Sequence, residues 1–299
     1  MWISDTALDR LRETADRPDL SGTPYEIVGT IGRGGMGTVY LARDRDLDRE
    51  VALKVVEPGD LAERMLREAC ILARLEHPGI VPVHDVGRLP DGRVFYAMKR
   101  VRGQRLDEHA PGLDLAERLR IVERICEAVG FAHAHGVIHR DLKPENVMVG
   151  PFGEVLVMDW GAAKESGASA PEAPGTILGT PGYMAPEQER GEIEAIDGRT
   201  DVWALGALLS FLLKDEETVA RPLAAIRDRA GAAAPADRYA TVEDLAADLS
   251  RFRAGLPVQA YRESLFERTA RFVQRYRMPI LLVLTYLLLR ALLLVILRR

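Results

Sequence analysis

Hydrophobic and polar residues alternate along the early part of the chain, a pattern typical of half-buried strands. The stretch YEIVGTIGRGGMGTVYLARDRDLDREVALKVV, which begins at Tyr25, predicts three short strands joined by turns. Two more strands are predicted on either side of an Asp91-Gly92 turn, and the second runs from Val94 to Met98. A small sheet is therefore expected in this part of the chain.

Apolar residues elsewhere recur at spacings of three and four, which predicts helices. One helix is predicted from Asp60 to Leu75, between the third and fourth strands. A long helix begins at the N-cap and N3 pair of Asp114 and Glu117 and ends at Gly136. Two later helices are predicted in RTDVWALGALLSFLL and VEDLAADLSRF, and the stretch between them has room for one short helix only.

Residues 280–297 form a strongly apolar stretch, with 14 Leu, Ile or Val and one charge, Arg290. As a helix they would span about 27 Å, just short of a ~30 Å hydrocarbon core. The arginine costs about 2.5–3.5 kcal/mol, whereas the aliphatic residues contribute roughly −4 to −8 kcal/mol, so a transmembrane helix is predicted. Four arginines precede it and two follow, which predicts a cytoplasmic location for the preceding residues. The alternative is a helix buried against the helical part of the protein.

The composition is that of an ordinary globular protein of one or two domains, with 47% hydrophobic and 28% charged residues. A formal net charge of −5 gives no basic excess, so nucleic acid is not expected as a partner. Cys70 and Cys126 form neither a disulfide framework nor a metal-binding spacing. Residues 1–24 lack the apolar core of a signal peptide and predict a short polar helix followed by a linker.

Two stretches contain the groups that phosphoryl transfer requires. VIHRDLKPENVMV places Asp141, Lys143 and Asn146 on one short loop, and Asp159 and Gly161 follow in VLVMDWGAAK. In phosphoryl transfer, one carboxylate positions the attacking hydroxyl and a cation neutralises the charge that develops on the transferred group. An amide and a second carboxylate hold magnesium.

Three glycines, Gly32, Gly34 and Gly37, lie in IGRGGMGTVY. In a dinucleotide-binding turn such glycines would open a helix. Here they continue into residues 38–41, whose β-branched and aromatic side chains predict a strand. This favours a hairpin whose backbone lies over a triphosphate, because a Cβ would block the close approach.

The chain contains three ordered motifs: H-R-D-L-K-P-E-N, D-W-G in place of D-F-G, and A-P-E at residues 185–187. With these motifs it resembles the protein kinases, most closely the eukaryotic-like Ser/Thr kinases of bacteria. The resemblance covers residues 25–255. It implies an α+β, two-lobed fold with a small antiparallel β-sheet lobe, one key helix and a larger, mainly helical lobe. The expected divisions are an N-terminal segment 1–24, an ATP-binding lobe 25–102, a catalytic lobe 103–255, a basic segment 256–279 and a transmembrane helix 280–297.

The resemblance implies that ATP and Mg²⁺ are cofactors and that proteins are phosphorylated on Ser or Thr. Asp141 is expected to be the base, Lys143 to stabilise the transferring phosphoryl group, and Asn146 and Asp159 to hold Mg²⁺. Lys54, in V-A-L-K, is expected to hold the α and β phosphates. The residues implied in nucleotide binding are Ile31, Gly32, Gly34, Gly37, Val39, Ala52, Lys54, Glu68, Met98, Val101 and Met148, with Glu68 favoured over Glu63 as the partner of Lys54.

Supporting contacts are implied as well. Asp201 should hold the catalytic loop, defined as residues 139–146, and Arg238 should pair with Glu187. Thr180 should contact Asp141. Regulation is expected through the activation segment, defined as residues 159–187. Arg140 is an implied receiver of phosphate, and the available phosphoacceptors are Ser166, Ser169 and Thr176.

Two rival functions stay open at this level. One is an inactive pseudokinase that acts as a membrane-bound scaffold, although Lys54, Asp141 and Asp159 are all present. The other is a small-molecule phosphotransferase of the same fold, which normally lacks the A-P-E segment. An anchor in the bacterial inner membrane and a homodimer for trans-autophosphorylation are also expected.

Overall fold

An antiparallel sheet forms the first lobe of the computed structural model, which describes residues 17–34, 37–165, 177–269 and 276–297. Its strands pair in the order β1-β2-β3-β5-β4. Their bounds are β1 Tyr25–Gly34, β2 Gly37–Asp44, β3 Arg49–Val56, β4 Val83–Arg88 and β5 Val94–Lys99. These strands coincide with the five that the alternating pattern predicts.

Both faces of this sheet are covered, so β3 is buried over the six successive residues 51–56. On one face Ala52 packs in a cluster with Met65 and Ala69 of helix α1, Asp60–Arg74. On the other face Leu53 packs with Tyr25. A strand buried on both sides loses its alternation of polar and apolar residues, which explains why residues 51–56 are apolar apart from Lys54.

The second lobe is mainly helical, with short strands near the junction with the sheet. The helices are α2 Leu106–His109, α3 Leu115–Ala134, α4 Pro186–Glu189, α5 Gly198–Leu212, α6 Arg221–Ala230 and α7 Val242–Arg253. The strands are β6 Gln104–Arg105, β7 Val137–Ile138, β8 Val147–Val149, β9 Val155–Val157 and β10 Lys164–Glu165. The α+β, two-lobed fold expected from the resemblance is confirmed.

Helix α3 begins at the predicted capping pair. The N–H of Glu117 donates to Asp114 Oδ1 at 2.8 Å, and the N–H of Asp114 donates to Glu117 Oε2 at 3.4 Å. Two of the four unpaired N–H groups at the helix start are thereby satisfied. Leu119, Ile125 and Val129 then lie in the core of the second lobe.

The described stretch between α5 and α7 contains one α-helix, α6, as predicted. Leu223, Ile226 and Ala230 of this helix are fully buried. A Cβ added to Gly206 of α5 would lie 2.8 Å from the backbone nitrogen of Gly231, so the end of α6 lies very close to α5. One tightly packed helix is therefore enough to cover this side of α5.

A buried ion pair joins α4 to the segment before α7. Arg238 Nη1 and Nη2 lie 2.7 and 2.8 Å from the two carboxylate oxygens of Glu187, and both residues are inaccessible to solvent or nearly so. Thr200 Oγ1 also donates to Glu187 Oε1 at 3.0 Å. Burial raises the pKa of Glu187, but the hydrogen bonds and charge of Arg238 outweigh it and hold that pKa below its ordinary value.

The predicted transmembrane anchor at 280–297 is not supported. The structure has a helix there, α8, Arg277–Leu297, but among the residues it describes no helix is long and apolar enough to cross a membrane. The predicted location in the bacterial inner membrane depends on the same stretch and is likewise not supported.

Replacing Arg238 by Ala should lower the free energy of unfolding by about 3–5 kcal/mol, because the buried Glu187 carboxylate loses its counter-charge. Urea denaturation measures the change. The matched control is Arg190→Ala, which removes an exposed pair with Glu192 and should lower the free energy of unfolding far less. Equal losses for the two variants would contradict the assignment of the buried pair.

Candidate active site

Lys54 and Glu68 form an ion pair between the sheet and α1. Lys54 Nζ lies 2.9 Å from Glu68 Oε2 and 3.3 Å from Oε1, and the two side chains are 11% and 3% exposed. The expected pairing of Lys54 with Glu68 is therefore confirmed. Lys54 Nζ also lies 3.8 Å from Asp159 Oδ1, so this cation reaches toward the second lobe.

Asp141 accepts hydrogen bonds at both carboxylate oxygens. Lys143 Nζ donates to Oδ2 at 2.9 Å and Thr180 Oγ1 donates to Oδ1 at 2.8 Å. Lys143 Nζ donates to Thr180 Oγ1 at 2.6 Å as well, and Asn146 Nδ2 lies 3.1 Å from Asp141 Oδ2. Three residues, up to 39 positions away along the chain, thus surround one half-buried carboxylate.

The catalytic loop is held from below by Asp201 of α5. The N–H groups of His139 and Arg140 donate to Asp201 Oδ2 and Oδ1, each at 2.9 Å. Arg140 has a φ of 67°, which is strained for a residue with a side chain. Since Asp201 is fully buried, its carboxylate fixes this strained turn, and Asp141 follows directly after it.

Asp201 remains ionised although it is buried. Burial raises its pKa, but the hydrogen bond from His133, the charges of His133 and His139, and the N–H of His139 hold the pKa below its ordinary value. His133 Nε2 lies 2.7 Å from Asp201 Oδ2. Burial lowers the pKa of His133, but Asp201 outweighs this and raises it above its ordinary value.

Asp159 lies on a second strained turn, with a φ of 56°. Its Oδ1 atom is buried and has no hydrogen-bond partner. The next residue, Trp160, is 1% exposed; its indole N–H donates to Val157 O at 3.3 Å and its ring centroid lies 4.5 Å from that of His139. The residue after Asp159 is thus anchored in the core, while the Asp159 carboxylate lies 3.8 Å from Lys54 Nζ.

The three predicted glycines lie in the β1–β2 hairpin, where Gly32 pairs with Val39 and Gly34 with Gly37. Gly37 has a φ of 116°, and an added Cβ would lie 2.4 Å from Val55 O, so only glycine fits there. Cβ atoms at Gly32 and Gly34 would meet nothing within 4 Å. These two positions therefore leave open space beside the backbone.

Five of the residues implied in nucleotide binding share one apolar cluster under this hairpin. Ala52 and Met98, which are paired across β3 and β5, are buried in it. Val39, Val101 and Met148 are half-buried against it. Ile31 is 54% exposed and lies outside the cluster.

Two buried residues near the site, Tyr96 and Gln188, make polar contacts that were not predicted from the sequence. Tyr96 donates its hydroxyl to Glu68 Oε1 at 2.9 Å. Gln188 Nε2 donates to Arg140 O at 2.8 Å and to Leu178 O at 3.1 Å, which joins the activation segment to the catalytic loop. The register of β3 against β5 could have indicated Tyr96, because it places this residue opposite Lys54. Nothing in the local pattern singles out Gln188.

Comparison with known proteins agrees with this geometry. The protein kinase domain family matches residues 25–233. A serine/threonine-protein kinase PknD of Chlamydia trachomatis serovar D is 35% identical in an alignment 326 residues long. The alignment covers 86% of this chain and 34% of that protein. The PknD of Chlamydia muridarum is 40% identical over 232 residues, which cover 63% of this chain and 24% of that protein.

The chain belongs to the protein kinase family. It is also similar to the PknD of Protochlamydia amoebophila, with 36% identity over 226 residues that cover 63% of this chain and 23% of that protein. The chain thus spans about a third or less of the length of these relatives.

The stability that Asp201 and His133 give to the folded protein should decrease at both acidic and alkaline pH. The lowered pKa of Asp201 means that its contribution is present above the unfolded value of about 3.9 and is lost as pH falls through the folded pKa. The raised pKa of His133 means that its contribution is present below about 6.5 and is lost as pH rises through the folded pKa.

Urea denaturation across this pH range checks both signs. Asp201→Asn should flatten the acidic side of the stability curve, and His133→Gln should flatten the alkaline side. His135→Gln is the control, because His135 is exposed two residues further along the chain. Parallel curves for all four proteins would show that the pair does not titrate as described.

Proposed function

We propose that this chain transfers the γ-phosphate of ATP to Ser or Thr hydroxyls of proteins. The observation that carries the proposal is the convergence on Asp141 of Lys143, Thr180 and Asn146, next to a formed Lys54–Glu68 pair. The similarity to serine/threonine-protein kinases PknD supports the same activity.

Asp141 acts on the attacking hydroxyl. Its carboxylate orients the Ser or Thr side chain of the substrate and accepts its proton as the new oxygen–phosphorus bond forms and the bond to the β-phosphate oxygen breaks. Lys143 donates hydrogen bonds to the transferring phosphoryl group and offsets its charge. Thr180, between Asp141 and Lys143, keeps the two side chains at fixed positions.

The residues present fit Mg²⁺. The buried Oδ1 of Asp159 has no hydrogen-bond partner, and Asn146 turns its Nδ2 toward Asp141, so its amide oxygen faces away. In the part of the chain that the structure describes, no three His, Cys, Asp or Glu side chains form a metal site by themselves. This suits Mg²⁺, which usually takes one or two carboxylates together with substrate phosphates. Bound Mg²⁺ would neutralise phosphate charge.

Lys54 and the glycine hairpin bind the nucleotide in this proposal. Lys54, oriented by Glu68, pairs with the α and β phosphates, and the hairpin backbone covers them. The apolar cluster around Ala52 and Met98 receives the adenine ring. Ile31, although exposed, is proposed to cover the ring from the edge of β1.

The proposed divisions of the chain are an N-terminal segment 1–24, an ATP-binding lobe 25–102, a catalytic lobe 103–255 and a basic segment 256–279. Regulation through the activation segment stays a prediction, because Ser166, Ser169 and Thr176 lie outside the described residues. Arg140 is 3% exposed and its Nε donates to Ala162 O, so a phosphate would have to reach an already buried guanidinium. The predicted homodimer also stays a prediction.

The proposal is tested by incubating the full chain with labelled ATP, Mg²⁺ and a basic protein as acceptor, and measuring phosphate transfer. Asp141→Asn should lower transfer by about 10²–10⁴-fold, because the base is lost. Lys54→Met should remove transfer through loss of triphosphate orientation. The control Asp215→Asn changes an exposed carboxylate on the second lobe and should match the parent.

Other outcomes separate the rivals. Saturable Mg·ATP binding without any transfer would indicate the scaffold, and label only on a small metabolite would indicate a small-molecule phosphotransferase. A folded protein that binds no nucleotide would contradict the site.

Gly32→Ala should weaken Mg·ATP binding about tenfold or more while leaving the melting temperature nearly unchanged, because its Cβ enters open space that the triphosphate would occupy. Calorimetric titration with Mg·ATP measures the affinity. Gly112→Ala is the control, since its Cβ also meets nothing within 4 Å and lies away from the hairpin. Unchanged affinity for Gly32→Ala would place the triphosphate elsewhere.

A further inference from the structure

Tyr96 lies on β5 directly opposite Lys54 on β3. Directly opposed residues of an antiparallel pair point to the same face of the sheet, so the phenol ring and the ammonium group lie side by side. Lys54 Nζ is 5.5 Å from the centroid of the Tyr96 ring, within the range of a cation–π contact. Tyr96 is 2% exposed, so this contact is shielded from water.

The hydroxyl of Tyr96 reaches a third residue. It donates to Glu68 Oε1 at 2.9 Å, while Lys54 Nζ lies 2.9 Å from Glu68 Oε2. The contacts form a closed set of phenol to carboxylate, carboxylate to ammonium and ammonium to aromatic ring. The set joins two strands of the sheet to α1.

Glu68 needs this second donor. Its carboxylate is 4% exposed, and a buried carboxylate is costly unless hydrogen bonds satisfy its oxygens. Lys54 is shared, because it also lies 3.8 Å from Asp159 and would turn toward phosphate when nucleotide binds. The Tyr96 hydroxyl donates to Glu68 Oε1 and can keep this bond when Lys54 turns toward phosphate.

The phenol remains a donor at any ordinary pH. Burial, the charge of Glu68, the hydrogen bond to Glu68 and the charge of Asp159 all raise the pKa of Tyr96 well above its usual value. The proton therefore stays on the Tyr96 oxygen, and Glu68 stays the acceptor.

We propose that Tyr96 is a positioning residue, whose hydroxyl holds the Glu68 carboxylate and, through it, Lys54 in the orientation that binds the triphosphate. The inference rests on the proposed function, because the orientation of Lys54 matters only if the chain binds a nucleotide. Tyr96 itself touches no reacting atom in this account. Its effect passes through Glu68 to Lys54.

The test compares Tyr96→Phe with Tyr25→Phe in the full chain. Tyr25 is 5% exposed in the same sheet and donates its hydroxyl to Asp85 Oδ2 at 3.1 Å, so each variant removes one phenol hydroxyl from a carboxylate and keeps the ring. Tyr25 packs on the opposite face, against Phe95. Because Asp85 is exposed and Glu68 is buried, Tyr25→Phe should lower the melting temperature less than Tyr96→Phe. It controls for the loss of a phenol hydroxyl from this sheet at a position away from Lys54.

Only Tyr96→Phe should weaken Mg·ADP binding and raise KM for ATP, by about tenfold, because a hydrogen bond to a charged group is lost. Adding Tyr96→Phe to Glu68→Gln should have little further effect, since both act on one contact. Amide hydrogen exchange in α1 without nucleotide should also be faster in Tyr96→Phe than in Tyr25→Phe. This last readout needs no activity.

Equal Mg·ADP affinities and equal exchange in α1 for Tyr96→Phe and Tyr25→Phe, in an active parent, would overturn the role of Tyr96 and leave the proposed function intact. Full additivity of Tyr96→Phe with Glu68→Gln would overturn it too. If the parent binds no nucleotide, the proposed function fails. Faster exchange confined to Tyr96→Phe would then still show that the hydroxyl holds α1.

Discussion

The buried carboxylate of Asp201 is the contact on which the site depends. It accepts two backbone N–H groups from the catalytic loop, at His139 and Arg140, and so compensates a residue held at positive φ. Asp141 follows directly after this turn, and its side chain could not face Lys143 and Thr180 if the turn relaxed. A single ionised group in the core of the second lobe therefore determines where the proposed base lies.

At the site the two lobes meet through charges as well as through apolar contacts, since Leu156 and Met148 of the second lobe pack with Ala52 of the sheet. Lys54 belongs to the sheet, Glu68 to α1 and Asp159 to the second lobe, and one ammonium group lies between the two carboxylates. Tyr96 adds a neutral donor that satisfies Glu68 without competing for Lys54. Lys54 can therefore turn toward a phosphate without leaving Glu68 unsatisfied, because Glu68 keeps the hydrogen bond from Tyr96.

Much of the fold and of the candidate site could be predicted from the amino-acid sequence. The strands followed from alternation, α3 from its capping pair, and the proposed catalytic residues from an ordered set of motifs whose spacing is local. The pairing of Lys54 with Glu68 followed from the resemblance. The structure does not support the transmembrane prediction, which came from a hydropathy sum over residues 280–297.

The sequence by itself determined the local structure and the types of chemical group, because turns, caps and strand patterns depend on near neighbours along the chain. Tertiary structure decided which groups meet. The contact of Tyr96 with Glu68 depends on the register of β3 against β5 and on the rotation of α1, and the bond from Gln188 to Arg140 depends on the path of the activation segment. Such contacts join residues 28 and 48 positions apart, and only packing of the whole chain brings them within 3 Å.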